Sequence, residues 1–333
     1  TISARIREII DGNLLFPPHS NIFPDFSVMT KNTHLEHPED TILTGDLSVL
    51  DGFLMPQDHI SVKFDGAPAI VWGRNPATGK QFVGTKSVFN KVKIKICESA
   101  EDIVRLYEGN LRIILLACLA NLPITNNIYQ GDFIGFGGKQ LYTPNVITYD
   151  FFDIVSEEII IAPHTLYTVP ENCTLKDAQS QPLLKELNDT NLVKFVNPKA
   201  YVWDGDYWTD NVTFNLGDLC KFARQMATLV EFEDKKGAAQ LKKDINAYIR
   251  DNDEIVAEEF DNYMLVRLWL LVKEIKEICL YQLRHRNGPD SYIDNDLIDA
   301  EGYVIHNKYG SYKLINREVF SYANFNKSRF SNV

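Results

Sequence analysis

Three separated elements hold residue types that could together carry covalent chemistry. The first is Lys63, within Ser61-Val62-Lys63-Phe64-Asp65-Gly66. Far downstream come Glu301-Gly302-Tyr303-Val304-Ile305 and then Tyr312-Lys313-Leu314-Ile315. A lysine, a carboxylate and a second lysine in that order are what covalent nucleotidyl transfer needs. Lysine is mostly ammonium at neutral pH and becomes nucleophilic where burial and neighbouring cations depress its pKa. The alternation around Lys63 places it in a strand, with Asp65 expected on the same face, and Gly66 permits a tight turn and close approach of a ligand. Attack on a nucleotide α-phosphate gathers negative charge there, which cations must meet. Lys86, in Gly84-Thr85-Lys86-Ser87, and Lys313 are the candidates. Magnesium (or manganese) takes one or two carboxylates together with phosphate and water, and Glu301 and Asp132, each beside a glycine at an expected strand edge, are the candidate ligands. Phe151-Phe152-Asp153-Ile154, read as a strand, offers an aromatic platform for a base.

The elements that must position these groups can be read from periodicity. Ile2, Ile6, Ile9 and Ile10 have helical spacing, followed by the loop Phe16-Pro17-Pro18. His59 to Val88 reads as strands, with Asn75-Pro76-Ala77-Thr78-Gly79 as a hairpin turn. Ala100 to Leu122 reads as one helix with an apolar stripe from Ile103 to Leu119. Strands are expected at Ile128 to Ile134, Val146 to Val155 and Ile159 to Leu166. A mixed polar stretch from about Thr168 to Asn211 follows, with turn signals at Asn197-Pro198-Lys199 and Trp203-Asp204-Gly205-Asp206. Helical periodicity occupies about Leu216 to Arg286, its last piece apolar from Glu258 to Leu283, and Asn287-Gly288-Pro289-Asp290 stops it. Strands resume at Gly302 to Asn307 and Ser311 to Ile315, joined by Asn307-Lys308-Tyr309-Gly310. Strand-rich segments thus bracket a helical insert, an α+β arrangement whose sheet is completed from distant sequence. The expected organisation is residues 1–50 as an extension packed on the core, 51–214 as the core, 215–290 as a helical domain and 291–333 as core completion.

The bulk numbers bound these readings. The chain has 333 residues, 45% hydrophobic and 24% charged, the composition of a globular protein with a sizeable core. Its net charge of -11 argues against a general nucleic-acid-binding field while leaving room for a local basic groove. Five dispersed cysteines without a Cys-x-x-Cys pair fit reduced thiols in a cytoplasmic protein. The start Thr1-Ile2-Ser3-Ala4-Arg5 lacks the order of a signal peptide, and Met264 to Val272 is too short and too charged to span a bilayer. No membrane partner is expected.

With these motifs in view, the chain resembles the covalent nucleotidyltransferases, the superfamily of ATP-dependent DNA and RNA ligases and mRNA-capping enzymes. Lys63-Phe64-Asp65-Gly66 matches its first motif and Thr85-Lys86 resembles the next. Gly131-Asp132-Phe133 resembles motif III, with Asp in place of Glu, and Phe152-Asp153-Ile154 resembles motif IIIa. Glu301-Gly302-Tyr303-Val304-Ile305 matches motif IV. Tyr312-Lys313-Leu314-Ile315 resembles motif V without its second lysine. The runs Lys63 to Ala69 and Phe82 to Lys91 also resemble uncharacterised ligase-like proteins of tailed bacteriophages. The resemblance implies a ligase-type core of antiparallel sheets and a reaction in three steps: Lys63 takes AMP from ATP, AMP passes to a nucleic-acid 5′-phosphate, and a 3′-hydroxyl displaces it. It implies Lys63, Lys313 and Lys86 as catalytic residues. Val62, Lys63, Asp65, Gly66, Asp132, Phe152, Glu301 and Lys313 would bind nucleotide. Glu301 and Asp132 would bind the metal, Asp132 with the ribose as an alternative contact. ATP and magnesium (or manganese) would be required, with a cytoplasmic location, that of the host if the protein is viral.

Departures narrow the class. DNA ligases usually carry Arg where Pro68 stands, and Ser61 replaces a common adenine-reading Glu. About twenty residues follow Lys313, too few for the OB-fold of DNA ligases and capping enzymes. RNA is therefore the preferred substrate and DNA the alternative; a GTP-dependent capping-type guanylyltransferase and a non-catalytic nucleic-acid or virion module are the rivals. Among other features, Gly135-Phe136-Gly137-Gly138-Lys139-Gln140 lacks Walker spacing and reads as a hairpin tip. His34 and His37 lack zinc-pair spacing, and Thr33 to Asp40 reads as a capping or packing segment that could line the pocket. Lys86, Lys91, Lys93 and Lys95, with Phe89 interleaved, could track a phosphate backbone, and Lys308, Arg317, Lys327 and Arg329 could extend that patch.

Overall fold

A computed structural model describes residues 35–53, 60–202, 208–209, 212–213, 216–285, 287–307 and 310–320. The expected N-terminal helix, His34, the turn at 203–206, Lys308, Lys327 and Arg329 lie outside the described residues.

In chain order the elements are α1 (Pro38–Thr41), α2 (Val49–Gly52), β1 (Ile60–Lys63), β2 (Ala69–Arg74), β3 (Gln81–Gly84), α3 (Ala100–Leu106), α4 (Gly109–Asn121), β4 (Ile128–Phe136), β5 (Leu141–Tyr142), β6 (Thr148–Asp150), β7 (Ile159–Thr168), β8 (Gln179–Pro182), β9 (Val193–Phe195), β10 (Ala200–Val202), β11 (Trp208–Thr209), β12 (Val212–Thr213), α5 (Leu216–Ala227), α6 (Lys235–Asp251), α7 (Tyr263–Gln282), β13 (Leu283–His285), β14 (Asp290–Ile293), β15 (Asp296–Ile298), β16 (Gly302–Asn307) and β17 (Gly310–Leu314). The fold is α+β. A six-stranded sheet runs β3-β2-β4-β7-β8, with β9 joined to β7 in parallel. A four-stranded sheet runs β15-β14-β6-β5, and a three-stranded sheet runs β1-β16-β17. The last is completed from both ends of the chain, as the sequence pattern implies.

Alternation gives the three-stranded sheet two unlike faces. Val62, Tyr303, Ile305, Tyr312 and Leu314 are paired across it and buried in one core with Leu265, Trp269, Val272 and Ile275 of α7. Lys63 and Lys313 fall on the opposite face by register. The six-stranded sheet buries both faces: Ile70, Trp72 and Val83 pack against Ile103, Leu115 and Cys118 of α3 and α4, and Val71, Phe82 and Ile128 pack with Val88 and Tyr167 on the other side. No helix among the described residues is long and apolar enough to cross a membrane.

Several elements depart from the sequence reading. The single helix expected over Ala100 to Leu122 is broken: Tyr107 is extended, Gly109 has φ +58°, and Arg112 straps the joint by donating to the carbonyls of Tyr107 (2.6 Å) and Val104 (2.9 Å). The strand expected at Val146 to Val155 covers only β6, because the Asp150 carboxylate accepts the Phe152 amide (2.8 Å) and turns the chain. The glycine-rich segment after β4 is no simple hairpin tip. It carries the chain from the six-stranded to the four-stranded sheet, tied down by Gly137 N to Glu158 O (3.0 Å) and Gly138 N to Val155 O (2.8 Å). The turn at Asn75 to Gly79 joins β2 to β3 as read, with Asn75 N donating to Lys80 O (2.8 Å).

Candidate active site

Lys63 ends β1 and is paired with Gly302, the first residue of β16. That register places Glu301 beside it, and Lys63 Nζ donates to Glu301 Oε2. Their side chains are only 26% and 12% exposed, so the ion pair is largely screened from water. Burial raises the pKa of Glu301, Lys63 opposes the shift, and the negative charges of Asp65 and Asp132 add to it. Lys313 is paired with Val304, which is paired with Ser61. Lys313, Ser61 and Lys63 therefore share a face, with β1 and β17 about 10 Å apart across two strand spacings. Burial and the Lys63 charge lower the pKa of Lys313; Arg317 adds to this, while Glu36 and Glu301 pull the other way.

The chain then crosses from the three-stranded to the six-stranded sheet between Lys63 and Ala69. Asp65 lies beyond the strand, so it does not share the strand face with Lys63 as alternation implies. Its carboxylate is held by Asn145 Nδ2 (2.9 Å) and Val146 N (3.1 Å), and its own amide donates to Tyr149 Oη (2.5 Å). Burial and the carboxylates of Glu301, Asp65 and Asp132 keep the Tyr149 hydroxyl protonated, although the Asp65 amide opposes. Gly66 serves close packing more than a turn: a Cβ there would lie 2.6 Å from Asp132 Cβ and 2.9 Å from Phe133 O. Asp132 stands mid-strand in β4, paired with Ala69 and Ala162, and not at a strand edge. Its Oδ1 is 3.6 Å from His164 Nε2.

Three sequence candidates stand apart. Val62 turns its side chain into the apolar core, the face opposite Lys63. Phe152 is 60% exposed with φ +68° and lines a cleft of about 430 Å³ with Phe151, Leu187, Phe195 and Asn197, past the end of β6 and not on a strand. Lys86 is exposed in a short 3₁₀ turn, Lys86–Phe89, capped by the Thr85 side chain. Arg317, expected on a basic surface, is buried; it donates to Asp40 Oδ1 (2.7 Å), Glu39 Oε1 (3.3 Å) and Asn246 Oδ1 (2.5 Å).

Sequence reasoning missed Tyr149, His164 and the depth of the Glu36 to Asp40 segment. Glu36 accepts the Lys313 amide at its carbonyl (3.1 Å) and Lys242 at its carboxylate (2.7 Å). Glu39 and Lys276 form a fully buried pair at 2.6 Å. Trp269 Nε1 donates to Asp40 (3.0 Å). The one available signal was the density of charge in Glu36-His37-Pro38-Glu39-Asp40 next to an apolar run.

Glu301 is a buried carboxylate with the charge of Asp132 within electrostatic reach, and among the described residues no group of three or more His, Cys, Asp or Glu forms a protein-only cage.

An α+β chain with a screened lysine–carboxylate pair where an antiparallel three-stranded sheet leads into a mixed six-stranded sheet is the class these observations define. The chain matches a family of unknown function, DUF6267, over residues 32–261 and 253–329, and it belongs to that family. No curated protein and no solved structure matches it.

Proposed function

We propose that the Lys63 site performs ATP-dependent polynucleotide ligation, with RNA preferred to DNA, on a ligase-type nucleotidyltransferase core. The observation that carries this reading is the placement of Lys63 against Glu301, with Lys313 on the neighbouring hairpin strand, from two distant segments of the chain and within electrostatic reach of Asp65 and Asp132. The Lys63 amine, once deprotonated, attacks the α-phosphorus of ATP; a P–N bond forms, the bond to the β-phosphate oxygen breaks, and pyrophosphate leaves. Lys313 meets the charge that develops on the α-phosphoryl oxygens. The adenylyl group then passes to a 5′-phosphate, which restores the lysine, and a 3′-hydroxyl displaces AMP. Glu301 and Asp132 would hold magnesium or manganese, which when bound neutralises phosphate charge. Asp65, tied to Asn145 and Val146, orients the turn that follows Lys63. Pro68, where DNA ligases usually carry Arg, weakens the DNA-ligase alternative.

Incubation with α-labelled ATP and magnesium, followed by denaturing gel and intact-mass measurement, tests the reading. A covalent AMP adduct is expected on the wild-type chain and none on Lys63→Ala. Labelling by GTP alone would assign a capping-type enzyme. No label from either nucleotide, or an adduct retained in Lys63→Ala, would overturn the assignment of Lys63 as nucleophile.

A further inference from the structure

Charge is strongly segregated along this acidic chain. Between Gly66 and Cys97 stand Arg74, Lys80, Lys86, Lys91, Lys93 and Lys95 with no Asp or Glu, while the whole chain carries -11. The structure gathers this stretch at one place. It forms β2, the edge strand β3, and a loop that leaves β3 at Gly84 and returns at Cys97.

The loop has a rigid stem and an exposed tip. Val83 and Cys97 exchange backbone hydrogen bonds at 2.9 and 3.1 Å, and Lys95 N reaches Ser87 O at 3.4 Å. Val88 is fully buried, and the Phe89 ring packs on Tyr167 with centroids 4.3 Å apart. Lys95 is fixed over the Tyr107 ring at 4.9 Å and donates to Leu106 O. The tip is open: Lys91 and Lys93 are exposed, as is Lys86 at the stem, and none of the three makes an ion pair with a described residue. Val92 and Ile94 alternate with them at 76% and 47% exposure. Closed loops with packed stems and solvent-facing tips are common recognition elements.

Register also fixes where the loop sits. Gly84 pairs with Val71, and Ala69, two residues earlier in β2, pairs with Asp132. The loop therefore leaves the sheet at the end where the chain arrives from Lys63, with its stem about 10 Å from β4 across two strand spacings.

We infer that the tip around Lys91 to Ile94 is a docking surface for the phosphate backbone of a polynucleotide led toward the Lys63 site. Exposed lysines on an otherwise acidic molecule attract a polyanion and release its counterions on contact. The apolar side chains between them offer contacts for sugars or unstacked bases. The inference rests on the ligation reading only for the direction in which the strand leads; the binding surface stands on charge and exposure.

The test is fluorescence anisotropy of the full chain with a labelled single-stranded RNA, the matching DNA and a nicked duplex, at several salt concentrations. Lys91→Gln/Lys93→Gln is compared with wild type. The double variant should bind single strands on the order of tenfold more weakly at 0.1 M salt, with a log–log salt slope shallower by about 1.4, or 0.7 for each charge removed. Labelling by ATP, followed in the same samples, should be unchanged. Equal affinity and equal slope in the two proteins would overturn the surface, even if ATP labels both. A wild-type chain that binds no polynucleotide at low salt would overturn it too. Polyglutamate competing as well as unlabelled RNA would overturn polynucleotide as the partner. Weakened binding in the variant with no ATP label in either protein would sustain the surface and sink the ligase reading.

Discussion

At the scale of single residues, the site is an argument about which charges are hidden from water. Lys63 has a carboxylate against it, whereas Lys313 is half-buried with the Lys63 charge lowering its pKa. The same crowding reaches His37, whose pKa is driven far down by burial and by Arg317, Lys313, Lys276 and Lys242. His37 Nδ1 is buried without a hydrogen-bond partner among the described residues. A depressed folded-state pKa means that the folded chain refuses a proton which the unfolded chain accepts. The contribution of His37 to stability is therefore complete above its unfolded value of 6.5 and is lost as pH falls below it. Between pH 7.5 and 5.5 this one ring should remove about 1.4 kcal/mol from the wild type. Urea unfolding of wild type and His37→Asn at the two pH values checks it. The wild type should lose about that much more stability than the variant, and identical losses would show that His37 protonates as freely in the folded chain as in the unfolded one. The pairing of Lys63 with Glu301 and the placement of Lys313 on the same sheet were legible because each sits in a short motif with its own glycine or alternation. His37 was not, because its burial depends on two helices and a strand that meet only in three dimensions.

At the scale of elements, α1 works as a charged wedge between α6, α7 and the end of β17. Glu39 receives Lys276 at 2.6 Å and Arg317 at 3.3 Å, and Asp40 receives Arg317, Trp269 and, at 3.3 Å, Lys242. Buried ion pairs add little net stability relative to packed apolar groups, but removing one partner strands the other. Lys276→Met should therefore cost about 3–5 kcal/mol. Glu39→Met combined with Lys276→Met should cost markedly less than the sum of the two single changes. A double-mutant cycle by urea denaturation measures the difference. Additive losses would show that the pair is not coupled and that α1 is held by its apolar neighbours. The strands of the three-stranded sheet were legible from the sequence: the alternation in His59 to Lys63, Gly302 to Asn307 and Ser311 to Ile315 placed β1, β16 and β17 nearly to the residue. Local propensity misled where a side chain intervenes in the backbone. Asp150 ends β6 before Phe152, and Arg112 stabilises the break at Tyr107 that a continuous apolar stripe conceals. Arg317 read as surface because a basic residue just past a strand carries no sign of the two acids waiting for it from distant sequence.

At the scale of the whole molecule, the question is whether the helices α5 to α7 are an appendage or part of what holds the site. Sequence order presents them as an insert, and the entry and exit of the segment fit that picture: β10 and β13 are antiparallel neighbours, with Val202 opposite Leu283. Paired residues in such a ladder are about 5 Å apart, so a two-residue turn could join them once the intervening helices were cut away. Packing argues otherwise. Ile42, Leu43, Leu50, Tyr303 and Leu314 lie outside the segment, and all are buried in the core that Leu265, Val266, Leu268, Trp269 and Ile275 complete. Uncovering five such side chains at about 2 kcal/mol each removes about 10 kcal/mol, comparable with the entire stability of an ordinary domain. Two of the five belong to β16 and β17, the strands that bring Glu301 and Lys313 to Lys63. Replacing residues 203–282 by Asn-Gly should therefore abolish cooperative unfolding, and the amides of Val62 and Lys313 should exchange with solvent without protection. The six-stranded sheet has its own cores with α3 and α4 and should keep protected amides in β4 and β7. Hydrogen exchange of the shortened chain, read segment by segment, checks both halves of the expectation. Protection retained at Val62 and Lys313 would mean that the site stands without its helices, and the helical segment would then be an addition to a complete core.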